Sequence, residues 1–133
     1  GYAMSPRMTK NLVSESLFRA VAAKRPMPGL IHHSDRGSQY CSDEYRNLLD
    51  QFHMRASMSR KGNCYDNAPM ESFWGTLKNE LVHHHRYMTR QEAIPEITEY
   101  IEVFYNRQRR QKRLGYLSPA AYERQYYSMK LAA

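Results

Sequence analysis

Apolar residues recur at helical spacing in two stretches of the first half of the chain. The first set comprises Val13, Leu17, Ala20 and Val21, and the second comprises Tyr45, Leu48, Leu49 and Phe52. Spacings of three, four and seven residues place side chains on one face of a helix. Thr9 and Ser42 precede the two stretches, and both residue types cap helix N-termini well. The pattern therefore predicts two helices, each with one buried face.

Three short stretches are predicted as β-strands: residues 1–5, 30–32 and 54–58. Residues 30–32 leave little room for alternation, which is typical of a strand covered on both faces of an α/β sheet. Pro6 ends the first stretch, and Pro28 and Gly29 stop the first helix before the second stretch. The order of these elements predicts an α/β fold with three strand segments.

The clearest predicted helix follows Pro69, a residue that suits the first helical turn. Its apolar stripe consists of Met70, Phe73, Trp74, Leu77 and Leu81. Because Trp74 belongs to this stripe, we predict that it lies in the core, with stacking on a nucleic-acid base as the alternative. Glu71 and Lys78 are seven positions apart and therefore lie about 20° from each other around this helix.

A fourth helix is predicted after Thr89, which forms a capping box with Glu92. Its apolar face consists of Ile94, Ile97, Ile101 and Phe104. Beyond the first turn, a proline removes a backbone hydrogen bond and clashes with the preceding turn. We therefore expect the regular helix to start or bend at Pro95.

Length, charge and cysteine content limit the class of protein. A chain of 133 residues suits one domain, and its net charge of +7 favours a polyanionic partner. A basic protein without such a partner is the alternative that composition leaves open. Cys41 and Cys64 are too few for a disulfide framework, and no apolar stretch approaches the ~20 residues of a membrane span. We predict a cytoplasmic protein with no membrane association.

Two carboxylates occupy positions where a hard metal ion could be held. Asp35 follows the predicted strand at 30–32, and Glu71 opens the third helix. Ligands of α/β sheets bind at the carboxyl ends of strands, and Mg²⁺ prefers oxygen ligands. Each acid also has an ordinary structural use, Asp35 in a turn and Glu71 at the positive end of its helix. Asp66 is an alternative to Glu71 but has the character of an entry-turn residue.

Three motifs accompany the two acids. They are His33-Ser34-Asp35-Arg36-Gly37, Ser59-Arg60-Lys61-Gly62-Asn63 and Leu114-Gly115-Tyr116-Leu117-Ser118-Pro119. Together with the 35 residues between the acids, positions 36 to 70, this pattern resembles the catalytic core of DDE transposases and retroviral integrases. The nearest likeness is to the transposases of bacterial insertion sequences, and it spans residues 1 to about 127.

The resemblance implies a ribonuclease H-like integrase catalytic core. We expect this core to be truncated at the N-terminus, with its first two strands missing, and to carry a helical C-terminal tail. Residues 1–106 would form the partial core and residues 107–133 the basic tail. An open sheet edge exposes unpaired backbone groups, so we also predict self-association into a homo-oligomer.

Enzymes of this family use three acidic residues and a divalent metal. The resemblance implies that Asp35 and Glu71 are two of these catalytic, metal-binding acids, and that the third belongs to a strand upstream of residues 1–5. Glu15 is the sole acidic residue before Asp35 and lies in a predicted helix, so it cannot serve as the third. We therefore expect weak binding of Mg²⁺, or of Mn²⁺ as a substitute, and little or no strand cleavage by this chain alone.

The implied reaction is cleavage of a DNA strand at the end of a mobile element, followed by strand transfer to target DNA. Element ends and target DNA would then be the partners. Two alternatives remain open. One is a DNA-binding or assembly module without catalysis, and the other is a nuclease of the same fold that cuts but does not join.

Several basic and polar residues are candidate DNA contacts. Lys78 is similar to an integrase position near the scissile phosphate, although it could also be a solvated lysine or a partner for Glu71. The other candidates are Arg36, Arg60, Lys61, Asn63, Arg107, Arg109, Arg110, Lys112 and Arg113. For residues 107–113 the alternative is a flexible, solvated loop. Gln111 stands in this run where many relatives carry a histidine, so no role is predicted for it.

Other chemistries have little support in the sequence. Six histidines and two cysteines lack the spacing of a zinc finger. Neither a Walker loop nor a dinucleotide-binding fingerprint occurs. Phosphoryl transfer on DNA, which the resemblance implies, is the most specific prediction.

Overall fold

The computed structural model describes residues 1–132. The chain forms two compact units. The first is Gly1–Trp74, and the second begins at Gly75. The predicted division at residue 106 separates a catalytic core from a basic tail, and it stays a prediction.

The first unit is a strand-helix-strand arrangement preceded by a helix. Its elements are α1 (Lys10–Lys24), β1 (Ile31–Ser34), α2 (Asp43–Gln51), β2 (Arg55–Met58), a 3-10 helix (Cys64–Asn67) and the start of α3 (Ala68–Glu80). β1 and β2 are parallel, with Ile31 opposite Arg55 and Ser34 opposite Met58. Parallel neighbours need a crossover connection, and α2 provides it.

The core of the first unit forms where α1 and α2 pack together. Leu17, Tyr45, Leu49 and Met54 are buried, and their apolar neighbours include Val13, Val21, Leu48 and Phe52. Both predicted helix faces are confirmed. The Ser42 side chain accepts the backbone N–H of Tyr45 at 3.3 Å, so this predicted cap is also confirmed.

Residues 1–5 do not form the predicted strand. The Ser16 hydroxyl donates to the Gly1 carbonyl at 3.1 Å, and the Arg19 guanidinium donates to the Tyr2 carbonyl at 3.3 Å. A strand requires a hydrogen-bonded neighbour, but these backbone groups bind side chains of α1 instead. The described sheet therefore has two strands rather than the predicted three.

The second unit is helical. After the end of α3 it contains a 3-10 helix (Val82–His84), α4 (Arg90–Glu99), a π-helical segment (Tyr100–Gln108), a 3-10 helix (Lys112–Leu114) and α5 (Pro119–Ala132). Its most buried apolar residues are Leu77, Tyr100, Ile101 and Tyr105.

Helix α4 begins before Pro95, although a start at Pro95 was one of the two predictions for this residue. Thr89 accepts the backbone N–H of Glu92 at 3.3 Å, and Glu92 accepts that of Met88 at 2.9 Å. This cap fixes the first helical residue at Arg90, so a helix start at Pro95 is wrong. Pro95 lies inside α4.

The apolar stripe of α3 is buried at Leu77, which is 3% exposed. Met70 and Trp74 are 52% and 43% exposed, so the prediction that Trp74 lies in the core is wrong. Its ring packs edge-on against Phe73 with a centroid distance of 5.0 Å. Helical spacing predicts which residues share a face, but another element must cover that face before it is buried.

Within the described residues, no helix combines the length and the apolar character that crossing a membrane requires.

Candidate functional site

Asp35 directly follows β1 and is exposed to solvent. Its Oδ1 accepts the backbone N–H of Gly37 at 2.7 Å. A Cβ atom on residue 37 would lie 2.9 Å from that oxygen and 3.1 Å from Oε1 of Gln39, so the close turn favours glycine. The structural use of Asp35 in a turn is thus present. A carboxylate offers two oxygens, so this contact is compatible with metal binding.

Successive side chains of β1 point to opposite faces of the sheet, as in any strand. His32 lies against α2, with its Nε2 3.1 Å from the hydroxyl oxygen of Tyr45. Burial lowers the pKa of His32, and burial with the nearby Tyr40 raises the pKa of Tyr45 to about 12. Both groups are therefore neutral at pH 7. Their contact joins α2 to β1, the strand that precedes Asp35.

Ser59 follows β2 and is 3% exposed. Its backbone N–H donates to the Ser34 carbonyl at 3.0 Å, and its Oγ lies 2.6 Å from Oδ1 of Asn67 and 3.2 Å from Nε2 of His33. His33 Nδ1 is 2.9 Å from Oγ of Ser57. We call these five residues the strand-end network. It joins the ends of both strands to the residue that precedes α3.

Glu71 lies in the first turn of α3 and is exposed. It follows Asn67 by four residues, about 6 Å along a helix axis at 1.5 Å per residue. The strand-end network thus links the segment bearing Asp35 to the segment bearing Glu71. Carboxylate oxygens are the donors that Mg²⁺ takes, usually one or two of them together with water and phosphate. The two acids fit such an ion by donor type.

The side chains that the structure describes include no group of three or more His, Cys, Asp and Glu residues arranged to hold a metal ion. Glu15, the acid that precedes Asp35 in sequence, lies in α1 and forms an ion pair with Arg19.

The loop between β2 and α3 surrounds an open cavity of about 420 Å³. It is lined by Arg60, Lys61, Gly62, Asn63 and Tyr65. Asp66 accepts the Arg60 backbone N–H at 3.0 Å, and this hydrogen bond is the main reason that the pKa of Asp66 is lowered. Asp66 is therefore an entry-turn residue. Asn63 caps the following 3-10 helix by accepting the Tyr65 N–H at 3.0 Å.

Arg36 and Lys78 have different surroundings. Nε of Arg36 donates to the Ser59 carbonyl at 2.9 Å, so this side chain helps to order the loop. Lys78 is exposed on α3, about two helical turns from Glu71. The described residues contain no ion pair between Lys78 and Glu71, and a separation of about 10 Å along the axis explains why.

Arg109 is held inside the second unit rather than lying open. Its guanidinium donates to both carboxylate oxygens of Glu80 at 2.7–2.9 Å, and it stacks over the Tyr105 ring at 5.6 Å. The Tyr100 hydroxyl also donates to Glu80 at 2.6 Å. Hydrogen bonding from Arg109 lowers the pKa of Glu80, while burial and the Glu80 contact raise that of Tyr100. A phosphate would have to compete with Glu80 for Arg109.

Apart from Arg109 and the buried Gln111, the basic segment at residues 107–113 is exposed. Gln111 and Leu117 form an antiparallel bridge that closes a turn, with Gly115 in the left-handed conformation. The exposed cations of this segment are Arg107, Arg110, Lys112 and Arg113. Gln111 is 6% exposed, and its Oε1 accepts from Arg113 at 3.0 Å. These contacts close a turn at the end of the basic segment, and the role of its exposed cations stays a prediction.

Sequence reasoning missed two clusters. Ser59 and His33 stand inside the motifs, but no sequence signal indicates that the Ser59 hydroxyl is buried and contacts His33 and Asn67. The Glu80 cluster has no sequence signal either, because Glu80 and Arg109 are 29 positions apart.

Comparison with known proteins agrees with the motifs. Two family profiles, both described as Integrase core domain, match residues 1–64 and 71–127. The "Insertion element IS600 uncharacterized 31 kDa protein" of Shigella sonnei is 62% identical over 96% of this chain and 47% of its own length. The transposase for insertion sequence element IS904 of Lactococcus lactis is 48% identical, over 93% of this chain and 49% of its own length.

Transposase InsF for insertion sequence IS3fB of Escherichia coli is 43% identical, over 94% of this chain and 43% of its own. The chain thus spans about half the length of these relatives. A chain of the simian T-cell lymphotropic virus intasome in complex with PP2A regulatory subunit B56 gamma has a TM-score of 0.61 at 18% identity. The similarity covers 75% of this chain and 36% of that one, and it shows an integrase-core fold. The chain therefore belongs to the integrase core domain family, among the DDE transposases of insertion sequences.

Proposed function

We propose that this chain provides part of the active site of a transposase that cleaves DNA strands and transfers them to target DNA in a metal-dependent reaction. The observation that carries the proposal is the strand-end network, which ties the strand before Asp35 to the turn before Glu71. One buried hydroxyl thereby contacts the residue before Asp35 and the residue before the helix that carries Glu71. A ribonuclease H-like sheet, of which β1 and β2 are two strands, is part of the same proposal.

Asp35 and Glu71 would hold Mg²⁺, with Mn²⁺ as a substitute. The ion, when bound, supplies charge stabilisation and activation of an attacking oxygen. The protein contributes rigid positioning: the Gly37 contact holds Asp35, and the first turn of α3 holds Glu71. Catalysis of phosphoryl transfer rests mainly on such positioning and on electrostatics, so few further groups are needed.

The DNA strand would be held by cations beside these acids. Arg60, Lys61 and Asn63 line one cavity, and Lys78 shares a helix with Glu71. Further phosphate contacts are proposed for Arg36 and for the basic segment, Arg107, Arg109, Arg110, Lys112 and Arg113. Each neutralised phosphate releases counterions, so binding should weaken as salt rises. Element ends and target DNA are the proposed partners, several copies would assemble on them, and the cytoplasm is the proposed site of action.

A second candidate function is a DNA-binding or assembly module without catalysis. Its specific support is that two acids are proposed here rather than three, since the described side chains include no group of three potential metal ligands. For the same reason we propose that this chain by itself binds metal weakly and cleaves slowly.

Nicking of supercoiled plasmid in Mn²⁺ tests the proposal. We expect slow, metal-dependent nicking by the wild-type chain and its loss in Glu71→Gln. Glu102→Gln is the matched control, since Glu102 is also an exposed glutamate in a helical segment. Nicking that survives Glu71→Gln would contradict the assigned role of Glu71.

Two further outcomes separate the alternatives. DNA binding without nicking at any Mn²⁺ concentration would support the module. Nicking without strand transfer from a pre-cleaved end would support a nuclease that cuts but does not join.

A further inference from the structure

Ser59 has an unusual position for a serine, because its hydroxyl is buried and has three polar neighbours. Its side-chain oxygen lies 2.6 Å from Oδ1 of Asn67, 3.2 Å from the Ser34 carbonyl and 3.2 Å from Nε2 of His33. Its own carbonyl accepts from Arg36 at 2.9 Å. Buried polar groups are normally satisfied in this way, and a network with every member paired is rigid.

Counting protons fixes the direction of these bonds. A serine hydroxyl has one proton, whereas the amide oxygen of Asn67 and the carbonyl of Ser34 can only accept. The proton therefore goes to Asn67, the nearest acceptor, with the Ser34 carbonyl as a secondary one. Nε2 of His33 must then donate to Ser59, which leaves Nδ1 facing the Ser57 hydroxyl.

Ser59 joins the two segments on which the proposed site depends. Ser34, whose carbonyl receives both the Ser59 N–H and its hydroxyl, is the residue before Asp35. Asn67 is the residue before α3, one turn before Glu71. Removal of this hydroxyl would take away the 2.6 Å contact of Asn67 and one of the two ring contacts of His33, and it would release the start of α3 from the end of β1.

We propose that Ser59 is a positioning residue that holds β1 and the start of α3 in one register, so that Asp35 and Glu71 face the same divalent cation. The proposal rests on the function proposed above. Residues that orient metal ligands without touching the metal typically change metal affinity about 10- to 100-fold when mutated.

Titration of the chain with Mn²⁺ alone, followed by electron paramagnetic resonance of the free ion, tests this role. We expect Ser59→Ala to weaken Mn²⁺ binding about 10- to 100-fold, and Ser59→Thr, which keeps the hydroxyl, to restore it. Ser118→Ala is the matched control, because Ser118 is also a buried serine, and its hydroxyl accepts the Ala121 backbone N–H at 3.4 Å outside the strand-end network. Its affinity should stay within about threefold of wild type.

Nuclear magnetic resonance gives a second readout that a merely structural role would not change. In the wild type, Mn²⁺ should broaden the amide signals of Gly37 and Glu71 at the same concentration. In Ser59→Ala the two signals should broaden at different concentrations, because the two acids no longer share one ion. Simultaneous broadening in this variant, with wild-type affinity, would overturn the role of Ser59.

Thermal unfolding in EDTA separates loss of fold from loss of positioning. If Ser59→Ala does not fold, Asn67→Ala removes the same bond from the helix side at a half-buried position, and the same affinity loss is expected. Unchanged affinity there would also overturn the inference. Absence of Mn²⁺ binding in the wild type, or binding insensitive to Asp35→Asn and Glu71→Gln, would instead overturn the proposed function and the inference with it.

Discussion

Glu71 and Glu80 lie at opposite ends of the same helix, yet their surroundings differ. Glu71 is exposed in the first turn of α3, which follows Asn67 of the strand-end network. Glu80 ends the helix, where it accepts hydrogen bonds from Arg109 and Tyr100. Glu71 has no ion pair among the described residues, whereas Glu80 is already paired with Arg109.

The presence or absence of a cationic partner distinguishes a structural acid from a candidate metal ligand. A carboxylate in a bidentate pair with arginine has its lone pairs and charge satisfied, so a metal ion would have to displace the arginine. A carboxylate on a rigid segment with no cation beside it remains available. Both residues are glutamates of the same helix, so their neighbouring side chains distinguish the candidate metal ligand from the structural acid.

The largest expected effect is the difference between Glu71→Gln and Glu80→Gln in how much Mn²⁺ raises the Tm. A ligand at 100 times its Kd stabilises the folded state by about 2.7 kcal/mol. We expect Mn²⁺ at such concentrations to raise the Tm of the wild type and of Glu80→Gln, but not of Glu71→Gln. Thermal unfolding with and without Mn²⁺ measures the increment for each protein. A Tm increment in Glu71→Gln equal to that of the wild type would show that Glu71 does not bind the ion.

A smaller effect is expected on stability when the Glu80 pair is removed. Arg109→Ala leaves Glu80 and Tyr100 without their cation, and we expect a loss of about 1–2 kcal/mol, reduced by partial solvent exposure of the pair. Denaturant unfolding measures it. Arg110→Ala is the matched control because Arg110 is exposed, and its effect should stay within about 0.5 kcal/mol. Equal effects in both variants would show that the pair adds no stability.

The smallest expected effect is on the pH dependence of stability. The Arg109 hydrogen bonds lower the pKa of Glu80 below its ordinary value of 4.5. Stability from this pair is therefore fully present above pH 4.5 and is lost as the pH falls through the folded-state pKa. Unfolding midpoints measured against pH should fall more steeply below pH 4.5 in the wild type than in Glu80→Gln. Parallel curves would contradict the assigned role of the pair.

Much of the fold follows from local pattern. The buried faces of α1 and α2 were predicted because helical spacing of apolar residues is a local property, and Leu17 and Leu49 are buried as expected. The cap at Thr89 was predicted because a side chain reaches the helix N-terminus within three residues. Trp74 and residues 1–5 were predicted wrongly because burial and strand pairing depend on which other segment lies alongside.

The candidate site divides in the same way. The residue types, the spacing of Asp35 and Glu71 and the family motifs could be predicted, because they depend only on the order of residues along the chain. Tertiary structure alone decided that Ser59 joins the segments before the two acids, and that Glu80 and Arg109 are paired. Hydrogen bonds between residues far apart in sequence depend on how the backbone folds, and no local spacing encodes that.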